Sequence, residues 1–503
     1  MLTSHVLRAC AASFALAASA VPLVRGASAP LGAFTGQTDI GTVAVPTKAT
    51  FDAATGIYTI GASGANMWLA EDDFGFVWKQ ASGDVALAAD IELVGEAKEG
   101  HRKGLLMIRQ SLDADAPYVD VAVHGDGLTS LQFRSDKGGV TREIRCPIKA
   151  PRRVRLEKRG AYVSVSIAGP DGVLSESGCV MRLSFDGPYY LGIGVCAHDK
   201  ESFETARFSS VELGAPPALS KSISALETVP LASLDRSVVY RAAGRMETPV
   251  FTPKNDALIF SRDGRIQRLA LDAGATPTQI DTAGETHCNN NHGVSPDGAR
   301  LVITDLGANQ KPRLYTLPIG GGDPSLVPVE APAYWHSWSP DGSLLAYCAG
   351  RGDNYDIYTV PLAGGAETRL TTSPGNDSGP DYTPDGNWIY FHSDRSGSFQ
   401  IWRMRADGSE QTQITNDAFE NWFPHPSPDG KWVVFLSTMT RHKVGHPPDS
   451  DCLLRLIPTA GDAAPKEIVR FYGGNGSLNV PCWSHDSTHI TYAVYSPFPV
   501  TAH

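Results

Sequence analysis

The chain has 503 residues, too many for one ordinary core, so two domains are expected. A formal net charge of −11 leaves no basic face for a nucleic acid and no attraction to an anionic membrane surface. The 42% of hydrophobic residues is that of a folded globular protein, and 50 Gly and 35 Pro fit many turns between short strands.

Residues 1–29 read as an export signal, which predicts a bacterial periplasmic or secreted protein. Arg8 supplies the leading charge, 9–24 is a small-apolar run, and Ala27-Ser28-Ala29 is an A-x-A cleavage site, with Ala18-Ser19-Ala20 competing. The run is short for a stable membrane span and is broken by Pro22. No later segment is a transmembrane candidate. Cys10 falls in this leader. The remaining cysteines are Cys146, Cys179, Cys196, Cys288, Cys348, Cys452 and Cys482, with no C-x-x-C among them. A disulfide such as Cys179–Cys196 and free buried thiols both fit that pattern.

From 30 to 215, period-two alternation recurs at 84–93, 104–109, 118–123, 153–158, 162–167 and 189–195. Such runs, bounded by Gly, Asp and Pro, predict half-buried antiparallel strands, and two packed sheets bury so many faces economically. A jelly-roll β-sandwich is expected. The stretch GLLMIRQSLDADAPYVDVAVHGDGLTSLQFR (104–134), with MWLAEDDFGFVWKQASGDVALAADIEL (67–93) before it, resembles the concanavalin-A-like jelly-roll domains of bacterial exported proteins. That resemblance implies a sandwich with a concave sheet suited to carbohydrate, and it does not imply catalysis. The aromatics Trp68, Phe74, Phe76 and Trp78 read as sandwich core in preference to a sugar platform.

Residues 216–236 are a linker that leads into the second domain, 237–503. There Ser295-Pro296-Asp297-Gly298 recurs at Ser339–Gly342, Thr383–Gly386 and Ser427–Gly430, a constant step of 44 residues. That period belongs to four-stranded propeller blades. Pro253 and the degenerate Ser484-His485-Asp486-Ser487 extend the series, so six blades are expected in an all-β chain. The segment 223–241 is expected to pair with the last blade and close the ring, which removes exposed sheet edges. SPDGSLLAYCAGRGDNYDIYTVPLAGGAETRLT and TPDGNWIYFHSDRSGSFQIWRMRADGSEQTQIT resemble TolB-type, WD-like propeller repeats. The resemblance implies an exported TolB-like protein, with a jelly roll where TolB itself has a different leading domain.

Strand order places the loops before strand one and between strands two and three on one mouth of the ring, opposite the S-P-D-G turns. Four residues before each turn proline stand Pro249, His292, His336, Pro380, Pro424 and Pro481. Proline suits an innermost edge strand. Asn291, Trp335, Asp381, Trp422 and His425 lie beside this column, forming a polar and aromatic collar. The collar reads as solvated mouth residues, as a small-molecule or glycan site with Trp for stacking, or as a divalent-metal site on His292, His336 and His425. An insertion of about 13 residues in the fifth repeat, 438–451, overhangs the same mouth with His442, His446, Asp449 and Asp451, as a solvated loop or as a lid. Arg351-Gly352-Asp353 reads as an ordinary loop.

The resulting expectation is an exported, non-catalytic binding or scaffold protein that engages a glycan, polymer or protein partner. The alternative is a carbohydrate-active enzyme, such as a polysaccharide lyase whose histidine-held metal acidifies the proton beside a uronate carboxylate.

Overall fold

The computed structural model describes residues 31–96, 99–219, 221–272, 274–439, 446–460 and 463–498. The export signal and His442 lie outside them. Within them, all regular structure is β-strand.

The alternating runs of the first half form two sheets. One has seven strands, in the order Leu174–Arg182, Tyr162–Ala168, Arg153–Arg159, Val85–Val94, Asp199–Gly214, Ile57–Gly64 and Lys48–Asp52. The other contains Tyr189–Cys196, Lys103–Arg109, Tyr118–His124, Thr129–Arg134 and Arg142–Arg145 side by side. Alternation sends Leu106, Ile108, Val119 and Val121 to the face that meets Leu87, Ala89, Leu156 and Val165 of the seven-stranded sheet. The same core continues into Val434, Leu436, Leu454 and Tyr492 of the chain's last third.

Five four-stranded blades follow, starting at Met246–Phe251, Cys288–Val294, Ala333–Trp338, Asp377–Tyr382 and Glu420–Pro426. The expected sixth blade after a free-standing jelly roll is not what forms. Residues 479–483 contribute only a bridge, Trp483 to Ile490. The closing strand Ile223–Pro230 does pair with His489–Tyr495, and Arg236–Ala243 pairs with its other edge. Their outer edge then pairs in parallel with Arg142–Arg145, Ile144 against Arg236. One ten-stranded sheet therefore runs from Gly36–Ile40 to His489–Tyr495. The physical reason is edge pairing: the outer N–H and C=O groups of Arg236–Ala243, which would end a blade, are taken by the first half of the chain.

Each S-P-D-G turn is a local clasp. The aspartate Oδ1 accepts from the Ser or Thr hydroxyl two residues back, at 2.5–2.6 Å, and from the backbone N–H two residues on. In the degenerate copy Ser484 and Asp486 make the same 2.6 Å bond, with Ser487 at φ 61° in the glycine's place. The four glycines sit at φ 71–72°, where a side chain is strained. The turns also stack in series, since a Cβ on Gly342 would lie 3.8 Å from Pro296 of the preceding blade.

Candidate functional site at the propeller axis

Every innermost strand is interrupted by a β-bulge. The register shifts between Glu247 and Val250, Cys288 and His292, Trp335 and Ser337, Ser378 and Asp381, and Trp422 and His425. These shifts fall on the column read from the repeats, Pro249, His292, His336, Pro380 and Pro424. A proline cannot donate to the ladder, and a bulge leaves a residue unpaired, so the two features belong together. Bulges re-aim side chains, and here they do so around the axis.

His336 marks the centre. Its Nδ1 is 3.0 Å from the Asn479 carbonyl, and its ring stacks on Phe423 at 6.2 Å between centroids. Asn291 Nδ2 is 3.5 Å from the same ring nitrogen, and Ser378 Oγ and Cys348 Sγ lie 3.4 and 3.6 Å from Nε2. One imidazole thus touches residues of four blades and the closing segment. His336, Cys348 and Ser378 look like a nucleophile with its base, but burial works against charge on either member. Burial lowers the imidazole to about 3 and pushes the Cys348 thiol up to about 12, so neither thiolate nor imidazolium forms at neutral pH.

On the S-P-D-G side of this plug the axis opens into a recess of about 220 Å³. Its wall is built by position. Two residues before the turn proline stand Phe251, Val294, Trp338, Tyr382 and Pro426, with Trp483 completing the ring, and all line the recess. Gly293 and Asp381, one residue earlier, reach its floor, as does Trp335. Trp335 lies over Gly293 of the neighbouring blade so closely that a Cβ there would be 2.0 Å from the indole. The indole nitrogens of Trp335 and Trp338 and the Tyr382 hydroxyl have no protein partner.

The charged group of this recess is Asp381, paired with His425. Asp381 Oδ2 is 2.9 Å from His425 Nδ1, and His425 Nε2 is 3.1 Å from the Leu478 carbonyl. Both side chains are buried. Burial raises the Asp381 carboxyl and its bond to His425 offsets this in part. A carbonyl can only accept, so His425 Nε2–H donates to Leu478 and Nδ1 faces the Asp381 carboxyl.

The expected collar is therefore divided. Asn291 and His336 meet, and Asp381 and His425 meet. His292 is fully buried and turns its Nε2 toward the Ile259 carbonyl, 3.4 Å away in the preceding blade. Trp422 is buried against Phe399, at 3.9 Å between ring centroids. Among the described residues, no group of three His, Cys, Asp or Glu side chains could hold a metal ion. Trp335 and Asp381 line the same recess as Pro296, Pro340, Pro384 and Pro428, not the mouth opposite the turns, because residues in mid-strand line the axis between the two mouths. Trp338, Tyr382 and Trp483 were missed, although the aromatic column two residues before the turn was there to be read.

The 438–451 insertion joins strands Trp432–Thr438 and Ser450–Pro458, as expected. Of its described acids, Asp449 pairs with Arg245 at 2.7 Å, and Asp451 accepts from the Tyr162 hydroxyl at 2.6 Å. His446 stacks on Phe423, 5.6 Å between centroids. Arg351 is tied to Glu367 at 3.1 Å, in keeping with an ordinary loop.

One face of the ten-stranded sheet is covered by a small hairpin. The hairpin Met67–Trp68 and Glu71–Asp72 lies on it, with Met67 packed among Leu105, Met107, Tyr118 and Ala122. Asp72 is locked to Arg134 at 2.7 Å, and Tyr118 donates to the Met67 carbonyl at 3.0 Å. Phe74 and Phe76 are buried beneath this hairpin, not between the two sheets, and Trp68 and Trp78 are half-buried, so the expected sandwich-core aromatics are divided.

The family description "TolB beta propeller domain" matches residues 294–465. An uncharacterised protein of Agrobacterium fabrum (strain C58), Atu1656, is 41% identical over 274 residues, which cover 54% of this chain and 93% of that protein. A solved structure of a provisionally named TolB from Agrobacterium tumefaciens is 40% identical, with a TM-score of 0.53, covering 55% of this chain and 99% of that one. TolB from Acinetobacter baumannii is a more distant likeness, 14% identical with a TM-score of 0.41, over 67% of this chain and 80% of that one.

Proposed function

The chain belongs to the TolB β-propeller family, and from that premise we propose that it is an exported binding protein that holds an extended segment of a partner protein in the axial recess. The carrying observation is the composition of that recess. Five blades and the closing segment each contribute proline or aromatic surface, and Asp381 with His425 is its charged feature. Flat, rigid rings give contact area at little cost in side-chain entropy. The leader at 1–29 supports export to the periplasm or beyond.

Phage-displayed decapeptides selected on the whole protein test the reading. Selected peptides should perturb tryptophan fluorescence and lose at least about tenfold in affinity for Trp338→Ala, the loss expected when a central anchor is truncated. Peptides that bind Trp338→Ala as well as the parent, or a selection that enriches nothing, would refute it.

A further inference from the structure

Two cysteines far apart in sequence lie in contact at the seam between the two sheets of the first half. Cys146 follows strand Arg142–Arg145 of the ten-stranded sheet, and Cys179 lies in strand Leu174–Arg182 of the seven-stranded sheet. Their Sγ atoms are 3.3 Å apart. Forming a bond of about 2.05 Å requires an approach of little more than an ångström. Four of the other five described thiols face different groups. Cys196 points at the Gly64 and Asp73 carbonyls, Cys288 at the Glu285 carbonyl and Asp305, Cys348 at His336 and Ser378, and Cys452 at Ser450. Cys179 and Cys196 belong to different side-chain clusters, one between the sheets and one beneath the Met67 hairpin, so of the two sequence readings the Cys179–Cys196 disulfide is not formed and both thiols are free.

We propose that Cys146 and Cys179 are a covalent modification site, an intramolecular disulfide that staples the two sheets where the ten-stranded sheet passes into the ring-closing strands. The location gives the staple a consequence. Arg145, the residue before Cys146, pairs with Ser237 of the closing strand. Gly178, the residue before Cys179, lies against Ala225 and Val238 of the closing strands. A slot beside Cys179 is lined by Ile223, Ala225, Val494 and Phe498, so both ends of the propeller chain abut this seam.

The oxidant is a disulfide compound, in the cell a thiol–disulfide oxidoreductase. Cys146 is the half-exposed partner and Cys179 the buried one, so Cys146 reacts first. Its thiolate attacks one sulfur of the oxidant's disulfide, forming a mixed disulfide and releasing the oxidant's other sulfur as a thiolate. The Cys179 thiolate then attacks Cys146 Sγ, and the oxidant's remaining sulfur leaves as thiolate. Two protein thiols lose two protons and two electrons, and one disulfide of the oxidant becomes a dithiol. Burial and the neighbouring Cys146 push the Cys179 thiol well up, which makes the second step the slower one. Arg241 is also close, since it packs against Gly178 and feels both thiols, and its charge favours a thiolate there.

The test uses the whole reduced protein, exposed to oxidised glutathione, quenched in acid, then alkylated in denaturant. The expected result is two fewer alkylated thiols and a single cross-linked peptide pair, carrying Cys146 and Cys179. Closing a 33-residue separation should also raise the melting temperature by about 4 °C, reversed by reductant and absent from Cys146→Ser and Cys179→Ser. Full alkylation of both residues after oxidation, or cross-links that join Cys146 or Cys179 to other cysteines, would overturn the assignment, whatever the melting temperatures of the variants.

Discussion

The closure of the ring rests on a buried ionic cluster, and removing one member should open it. Glu227 lies in strand Ile223–Pro230 and Arg236 in strand Arg236–Ala243. Arg236 donates to both carboxylate oxygens, at 2.7 and 2.9 Å, and the Tyr492 hydroxyl donates to Oε2 at 2.6 Å. Arg236 Nη1 also reaches the Arg470 carbonyl at 3.3 Å. All three side chains are buried. Burial alone opposes charge on Arg236, but Glu227 and Tyr492 outweigh it and hold the guanidinium above its ordinary value. Glu227→Ala would strand a buried cation and a buried hydroxyl, at a cost of about 3–5 kcal/mol. The double variant Glu227→Leu/Arg236→Met removes both charges and should cost about 1 kcal/mol or less. Amide hydrogen exchange of strand His489–Tyr495 reads this directly, because opening the seam exposes it without unfolding the rest. Glu227→Ala should speed exchange there by roughly a hundred- to several-thousandfold, at about 1.4 kcal/mol per factor of ten. A rate within about threefold of the parent, or a double variant as damaged as the single one, would refute the reasoning.

Three further outcomes follow from the axis. Burial lowers His292 to about 4, so stability that depends on its neutral ring is present above pH 6.5 and lost as pH falls through that value toward 4. The loss is about 3 kcal/mol by pH 4, and urea midpoints across that range should flatten in His292→Leu relative to the parent. Gly293→Ala forces a methyl into the Trp335 indole and should destabilise by about 1–3 kcal/mol with a change in tryptophan emission; a silent variant would contradict the packing. Asp381→Asn can still donate to His425 Nδ1 while Nε2–H keeps the Leu478 carbonyl, so it should cost about 1 kcal/mol or less. His425→Ala leaves a buried carboxyl and carbonyl unpaired and should cost about 3–5 kcal/mol in urea unfolding; the reverse order would contradict the pairing.

The repeat itself determined a good deal. A 44-residue period with a Ser-Pro-Asp-Gly clasp specifies a hairpin between the first two strands of a blade through local bonds, such as Ser339 to Asp341, so it could be read without any tertiary information. Alternation likewise placed the strands of the first half, since inward and outward faces are a property of the strand alone. The column containing His292 and His336 was legible as a column but not as a set of environments. A bulge turns each residue by an amount that depends on its neighbours, so His336 reached the axis while His292 turned into the blade interface. Non-local pairing decided the rest. The sequence shows that 223–241 needs a partner, but only the packed chain shows its outer edge taken by Arg142–Arg145, which merges the sixth repeat into a ten-stranded sheet. Backbone edges carry no residue code, so which edge meets which is set by the global arrangement of layers. The same holds for Cys146 and Cys179, whose contact depends on two sheets closing over one core.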